Sequence, residues 1–160
     1  MIADRFPRPG LPQMDIDRYF GQIVDPTIKD FEANPTSVRH AFLAAVVVFH
    51  TIDYAGLRRL RKKFRQNPDF AMVDRIANAF KHVETGHRDD QNLQPLSAEG
   101  VIARPPMYYG VSGAYGLSRY GDPIGGVTLD DDRQIDVLSA VKRAAEFIRL
   151  QTEADRPAGS

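Results

Sequence analysis

The sequence contains no cysteine, carries no net formal charge and has no long apolar run. Without cysteine, the protein can form neither disulfide bonds nor a cysteine-based zinc site. Because 21 basic residues balance 21 acidic ones, no overall field attracts the chain to nucleic acid or membrane, and any such binding must be local. The longest apolar run, residues 41–49, is far shorter than the roughly 20 residues that cross a bilayer, so we expect no membrane association.

The length of 160 residues suits one domain with a real core. Prolines and a lack of periodicity predict an extended N-terminal arm at residues 1–12. Because this arm is not apolar, as the start of a secretion signal would be, we expect no such signal in it. A single helical-bundle domain is predicted for residues 13–152, followed by a frayed polar tail at residues 153–160. Together with the absence of cysteine, these features favour a cytoplasmic protein.

Apolar residues recur every three or four positions over most of this domain, which is typical of amphipathic helices. The first helix is predicted from Gln13, with a break or kink at Asp25-Pro26 and a short second piece that ends before Pro35. Gly86 is the natural cap of a later helix. The predicted helices after Pro35 span about residues 36–64, 70–85 and 133–152.

A Gly/Tyr-rich insertion at residues 87–132 interrupts the helical pattern. Residues 101–103 and 126–129 are predicted to form a two-stranded β ribbon that flanks the loop and packs on the helices, because such a ribbon is marginal alone. The sequence therefore predicts a mainly α fold, a bundle of about four to five helices with a long loop and a β ribbon before the last helix.

Three polar residues fall on one face of the predicted helix at residues 70–85. Arg75, Asn78 and His82 are spaced i, i+3 and i+7. An arginine can hold a phosphate, and an imidazole can move a proton near neutral pH. The stripe thus predicts either an acid–base site without a metal or an ordinary polar surface.

Asp53 lies on the apolar stripe of the preceding long helix, where an ionised carboxylate is unfavourable unless paired. We predict that it pairs with Arg75, Lys81 or His82. One interpretation is a structural polar layer that fixes helix register; another is the acid–base site, which Asn78 and Asp53 would orient. A third is a metal site, for which the sequence offers imidazole and carboxylate ligands but no tight pair. Its members would be His50, Asp53, His82 and His87.

Six cations occur within residues 58–65. They either complement the dipole at a helix C-terminus or contact phosphates. Tyr109 and Tyr115, in the insertion near Arg104 and Arg119, either stack on single-stranded bases or fill a packed loop. Residues 130–132 are all aspartate and either cap the last helix or meet the basic run. The candidate phosphate contacts are Arg58, Arg59, Arg61, Lys62, Lys63 and Arg65.

The spacing from Arg75 to His82 resembles the Arg-x(4–6)-His motif of HEPN-type proteins, although Ile76 stands where that family usually has a polar residue. The resemblance implies a small helical bundle, frequently dimeric, and in many members a metal-independent ribonuclease of toxin–antitoxin or phage-defence systems. Arg75 and His82 would then face each other across a dimer cleft. The pattern from His50 to His82, with the following loop and last helix, is also similar to a group of uncharacterised bacterial helical proteins.

The resemblance implies an endoribonuclease that acts on single-stranded RNA without cofactor or metal. His82 would be the general acid or base and Arg75 would stabilise the phosphate. The expected partners are RNA, a second copy of the chain and an unidentified cognate antitoxin. The alternative is a non-catalytic helical interaction or dimerisation module, in which the same residues form a buried polar layer.

Overall fold

The computed structural model describes residues 14–82, 96–107 and 118–155, except for the side chain of His82. These residues form a mainly α-helical structure with five helical stretches and a two-stranded antiparallel ribbon before the last helix. The predicted fold class is therefore confirmed. The predicted N-terminal arm and the centre of the Gly/Tyr-rich loop lie outside the described residues.

The first helical stretch contains a π-helical turn. Asp15 caps its start by accepting a hydrogen bond from the Arg18 amide at 2.8 Å. Pro26 lacks an amide hydrogen and its ring crowds the carbonyl four residues earlier, so a wider π turn just before it allows the helix to continue. The predicted break or kink is thus a local change of pitch. The parts are α1 (Ile16–Tyr19), the π turn (Phe20–Val24) and α2 (Asp25–Ala33).

The long helix ends ten residues earlier than its predicted end at residue 64. Helix α3 spans Val38–Tyr54 and begins with Ser37 as its cap. Gly56 follows with a φ of 69°, a left-handed conformation that favours glycine. The amide of Gly56 bonds the carbonyl of Asp53 at 3.2 Å, and the amide of Leu57 bonds that of Ile52 at 2.8 Å. These two bonds form a Schellman motif, which closes the helix and redirects the chain.

The basic run lies after this reversal instead of at the end of one long helix. A 3-10 turn (Arg58–Leu60) leads into α4 (Arg61–Phe64), and this segment is bent by 115° from α3. Helix α5 (Pro68–His82) follows, with the Asn67 side chain accepting a hydrogen bond from the Phe70 amide at 3.0 Å. The predicted fourth helix is therefore present, whereas its expected cap Gly86 lies outside the described residues.

The β ribbon connects the middle of the chain to the last helix. Strands β1 (Val101–Arg104) and β2 (Gly126–Leu129) pair antiparallel, with Val101 opposite Leu129. Every residue of β2 is buried. Asp136 then caps α6 (Val137–Ala154) by accepting a hydrogen bond from the Ser139 amide at 2.9 Å. The ribbon predicted from the sequence is confirmed, and it packs on the bundle as a marginal two-stranded ribbon must.

Helices α3, α5 and α6 pack around one apolar core. Each fully buried aliphatic side chain of this core contributes about 1.5–3 kcal/mol of hydrophobic stabilisation. Among the described residues, no single helix is long and apolar enough to cross a membrane; only α3 and the 58–64 segment, taken together across their sharp bend, have such length and composition. Fully buried core residues include Val48, Ile52, Val73, Ile76, Val141 and Ile148.

Candidate functional site

The predicted stripe on α5 is divided between two structural contacts. The guanidinium of Arg75 donates a hydrogen bond to the carboxylate of Asp131, next to the β ribbon. Asn78 is buried, and its amide donates to the Asp74 backbone carbonyl at 2.7 Å and to the Asp74 carboxylate. The side chain of His82 lies outside the described residues. Arg75 and Asn78 therefore serve different contacts one turn apart.

Among the described residues, the buried carboxylate is Asp74, not Asp53. The Asp74 side chain is completely buried and accepts hydrogen bonds from Arg61 at 2.6 and 3.1 Å and from Arg65 at 2.6 Å. Arg61 and Arg65 are four residues apart, so both guanidinium groups leave the same side of the short α4 segment. A sequence signal exists in retrospect, because Asp74 stands between the apolar residues Val73 and Ile76 of the α5 core stripe.

The prediction that Asp53 pairs with the neighbouring α5 helix is wrong for every partner that the structure describes. The Asp53 side chain is 37% exposed, since α3 ends one residue later and the chain turns away. Its carboxylate lies 3.0 Å from Nδ1 of His50 and 3.7 Å from Nε of Arg58. The carboxylate is thus solvated and held by a histidine on its own helix.

A groove of about 360 Å³ opens between α3 and α5. Its apolar wall, opposite Ala77 of α5, consists of three half-buried side chains of α3, Phe42, Val46 and Phe49. Arg61 lies over the Phe49 ring, with the guanidinium carbon 4.7 Å from the ring centroid. Among the described residues, three cations and one carboxylate line the groove, which gives a net charge of +2 when His50 is not counted. The lining residues are Phe42, Val46, Phe49, His50, Ile52, Asp53, Arg58, Arg61, Ala77, Asn78 and Lys81.

Contacts between aromatic rings show how the two helices that form the groove are oriented relative to each other. Phe42, near the start of α3, stacks on Phe80, near the end of α5, at 4.3 Å between ring centroids. Phe49, later in α3, lies against Phe70, at the start of α5, with ring centroids 6.4 Å apart. The two helices therefore run antiparallel, and Lys81 lies at the Phe42 end of the groove. His50, Asp53 and Arg58 lie at the other end, about 16 Å away by the rise of α3 between Phe42 and Asp53. The apolar wall therefore lies between Lys81 at one end of the groove and Arg58 at the other.

The His50–Asp53 pair has the geometry of a general base and its orienting carboxylate. When Nδ1–H donates to the Asp53 carboxylate, the neutral imidazole carries its lone pair on Nε2. Nε2 is then the proton acceptor, in the arrangement by which a carboxylate fixes the tautomer of a catalytic histidine. The sequence placed these residues at i and i+3, and the structure brings them to 3.0 Å.

The basic run does not form one continuous exposed patch. Arg61 and Arg65 bind the buried Asp74, whereas four other cations are exposed. Arg58, whose Nε lies 3.7 Å from the Asp53 carboxylate, has 83% of its side chain exposed. It alone of the four exposed cations lines the groove. The described ion pairs of the aspartates at residues 130–132 do not involve the basic run: Asp131 pairs with Arg75, and Asp130 pairs with Arg133. The exposed cations are Arg58, Arg59, Lys62 and Lys63.

Arg104, the last residue of β1 and close in sequence to the tyrosines, is buried. Its guanidinium pairs with Asp122 and lies 3.6 Å from Asp136. Burial is the main cause that lowers its pKa from the usual arginine value; Arg119 lowers it further and Asp136 opposes the shift. Arg104 therefore anchors the ribbon to the start of α6. Tyr109 and Tyr115 lie outside the described residues.

Among the described residues, no group of three or more histidine, aspartate or glutamate side chains could hold a metal ion. Of the predicted metal ligands, His50 and Asp53 are adjacent, whereas the side chains of His82 and His87 lie outside the described part. Comparison of the chain with protein-family models, curated proteins and solved structures finds no match. The fold and the contacts above establish a mainly helical bundle protein of 160 residues.

Proposed function

We propose that the protein is a HEPN-like, metal-independent endoribonuclease that cleaves single-stranded RNA in the groove between α3 and α5. The observation that carries the proposal is the His50–Asp53 pair at one end of a positively charged, partly aromatic groove. Such a groove is typical of single-strand binding, in which cations follow the backbone and aromatic rings stack on bases. Concave sites with a few convergent polar groups are also where ligands usually bind.

The chemistry uses the 2′-hydroxyl that distinguishes RNA from DNA. Nε2 of His50 accepts the proton of this hydroxyl while its oxygen attacks the adjacent phosphorus. The bond from phosphorus to the 5′-oxygen breaks, and that oxygen takes a proton from water. The products are a 2′,3′-cyclic phosphate and a 5′-hydroxyl. Arg58 stabilises the charge that develops on the phosphoryl oxygens.

The HEPN resemblance itself rests on Arg75 and His82, and it implies a homodimer in whose cleft these two residues would meet; the proposal keeps the homodimer and places the general base at His50. It also includes a cytoplasmic location and a cognate antitoxin of unknown identity. A reaction at His50 and a reaction at the Arg75–His82 pair predict different effects of substitution. If His50 is the base, His50→Ala lowers the rate by about 10²–10⁴-fold, the usual contribution of a general base, whereas Arg75→Ala leaves it within a few-fold.

The alternative function is a non-catalytic helical interaction or dimerisation module. One observation favours it: Arg75, Asn78, Arg61 and Arg65 are all engaged in structural ion pairs or hydrogen bonds. The buried part of this arrangement is built around Asp74, whereas the polar layer predicted from the sequence was built around Asp53. The module predicts no RNA cleavage by any form of the protein.

The deciding experiment is cleavage of end-labelled single-stranded RNA in EDTA by the wild type and single variants. The proposal expects cyclic-phosphate products, no cleavage of the same sequence as DNA, and loss of activity in His50→Ala. Arg39→Ala, an exposed cation of α3 outside the groove, is the matched control and should retain full activity. Loss in His82→Ala but not His50→Ala would move the reaction to the predicted Arg75–His82 stripe. No cleavage by the wild type would favour the module.

A further inference from the structure

We infer that the groove between α3 and α5 is a docking site for one acidic amphipathic helix of a partner protein. This helix carries two carboxylates about 11 residues apart, with apolar side chains between them. The inference goes beyond the proposed function, because it requires no cleavage of RNA. It rests on the apolar wall of the groove, on the cations at its two ends and on the distance between those ends.

The apolar wall suits aliphatic side chains. Phe80 stacks on Phe42, and the Arg61 guanidinium lies over the Phe49 ring, so both rings of the wall are already held in place. Val46, between them in the sequence, is half-buried and contributes its methyl groups to the lining. Leucine side chains pack on such a surface, because the hydrophobic effect and dispersion need no fixed orientation. An apolar helix face that lies in a groove is a recurring mode of peptide recognition.

The ends of the groove favour carboxylates. Lys81 is exposed at one end and takes part in no ion pair among the described residues. Arg58 is 83% exposed at the other end, where its Nε lies 3.7 Å from the Asp53 carboxylate. Even without Arg61, which Asp74 holds, two cations of the described lining stand against one carboxylate. A partner with a carboxylate at each end therefore gains charge complementarity, which steers association and suppresses wrong partners.

The distance between the two ends sets the spacing of the partner's carboxylates. The ends lie about 16 Å apart along α3, and a helix that lies along α3 covers this distance in about 11 residues. Residues 11 positions apart on a helix differ in direction by only about 20°, so both carboxylates leave the same face. Positions four and seven after the first carboxylate lie within about 40° of it and meet the apolar wall. The partner motif is therefore acidic, apolar at +4 and +7, and acidic again at +11.

Binding of a synthetic peptide to the full-length protein tests the inference. The probe is an alanine-rich helical peptide of about 15 residues with glutamate, leucine, leucine and glutamate at the motif positions. Titration by calorimetry is done near physiological salt, where exposed charges more than about 8 Å apart are largely screened. Replacement of either leucine by alanine should weaken binding at least about tenfold, because burial of that side chain is lost. Moving the second glutamate back by two positions turns it to the opposite side of the helix and should weaken binding about fivefold.

Charge exchange tests the two ends of the groove separately. Arg58→Glu should weaken the parent peptide at least about fivefold, and lysine in place of one of the two glutamates should restore binding. Lys81→Glu should behave in the same way, but only lysine in place of the other glutamate should restore it. Both side chains are exposed, so these variants should remain folded. Arg59→Glu is the matched control, because Arg59 is the exposed neighbour of Arg58 and lies outside the groove lining.

A substitution in the apolar wall tests the middle of the groove. Val46→Glu places a carboxylate between the two leucines of the peptide and should abolish binding, because the new charge would lose its hydration. Leu43→Glu is its control, since Leu43 is 38% exposed on the same helix and lies outside the groove lining. Thermal unfolding of both variants confirms that they are folded.

The outcomes separate this inference from the proposed function. Peptide binding with the expected dependence on leucine and charge supports the inference whether or not RNA is cleaved. Absence of peptide binding, or binding that Val46→Glu leaves unchanged, overturns the inference, and RNA cleavage then decides the proposed function separately. Restoration of both charge-reversed variants by the same peptide overturns the spacing of the carboxylates. Self-association of the protein that Val46→Glu abolishes, measured by sedimentation equilibrium, overturns the inference in favour of a second copy of the chain as the occupant.

Discussion

Substitution of Asp74 by alanine should strongly destabilise the fold. The Asp74 carboxylate is completely buried and is the common acceptor for Arg61, Arg65 and the Asn78 amide. Its removal takes from two guanidinium groups, 27% and 13% exposed, the carboxylate that both contact. Breaking a buried ion pair by removing one partner costs about 3–5 kcal/mol. Because both arginines can turn partly to water, we expect the lower value, about 3 kcal/mol.

Urea unfolding followed by circular dichroism measures this loss directly. In a protein of this size, 1 kcal/mol shifts the melting temperature by about 2–4 °C, so Asp74→Ala should melt about 6–12 °C lower. The matched control is Asp53→Ala, which removes an exposed carboxylate that contacts His50 and Arg58 and should cost at most about 1 kcal/mol. Asp74→Asn keeps the size of the side chain and separates the effect of charge from that of packing.

The reasoning is refuted if Asp74→Ala loses less than about 1 kcal/mol, or if the two alanine variants lose equal stability. The second result would mean that burial does not distinguish these carboxylates. It would also restore the sequence-based expectation that Asp53, on the apolar stripe of α3, is the carboxylate on which the packing depends.

Two further stability predictions follow from the ring of Tyr19 and from Gly125. Burial, with smaller effects of Tyr54 and Asp53, raises the pKa of Tyr19 to about 12. The folded protein therefore favours the neutral phenol. The resulting stabilisation is complete below the pKa of an unfolded tyrosine, about 10, and is lost as the pH rises from 10 to 12. Tyr19→Phe should therefore show a shallower fall in unfolding free energy between pH 10 and 12, and equal slopes would contradict the assignment. Gly125→Ala should cost at least about 2 kcal/mol in urea unfolding, because φ is 74° and the new Cβ would lie 2.4 Å from the Arg104 carbonyl oxygen. Gly121→Ala, with φ of 75° and no atom within 4 Å of the new Cβ, should cost only about 1 kcal/mol, and equal losses would exclude the contact as the cause.

The elements of the fold were predictable because their signals are local. The periodicity of α5 and α6 and the short strands of the ribbon identify their type without knowledge of the rest of the chain. The end of α3 was also encoded locally, since Gly56 followed by the buried Leu57 is the pattern of a Schellman cap. The helical repeat of apolar residues from Phe42 to Phe64 continues across Gly56 and obscures this signal. The π turn before Pro26 has no comparable signal.

The site was less predictable because it depends on how two helices rotate against each other. Helical spacing places Arg75 and Asn78 on one face, but it does not say that Asn78 turns inward to Asp74 while Arg75 reaches Asp131. Similarly, Asp53 and Asp74 both interrupt apolar stripes, and only the packing decides which is buried. The His50–Asp53 pair was predictable, because residues at i and i+3 on one helix are neighbours in any tertiary arrangement.

The neutral chain carries a local positive groove because burial removes some cations from the basic run and leaves others. Asp74 retains Arg61 and Arg65, while Arg58 and Lys81 remain exposed at the ends of the groove. Binding of single-stranded RNA that neutralises about two phosphates should give a slope near −1.4 in a plot of log affinity against log salt concentration. If the cations at residues 58–65 instead acted as one six-charge patch, the slope would approach about −4. A measured slope near −4 would therefore show that Arg61 and Arg65 release Asp74 to bind RNA, and the groove would no longer account for the affinity.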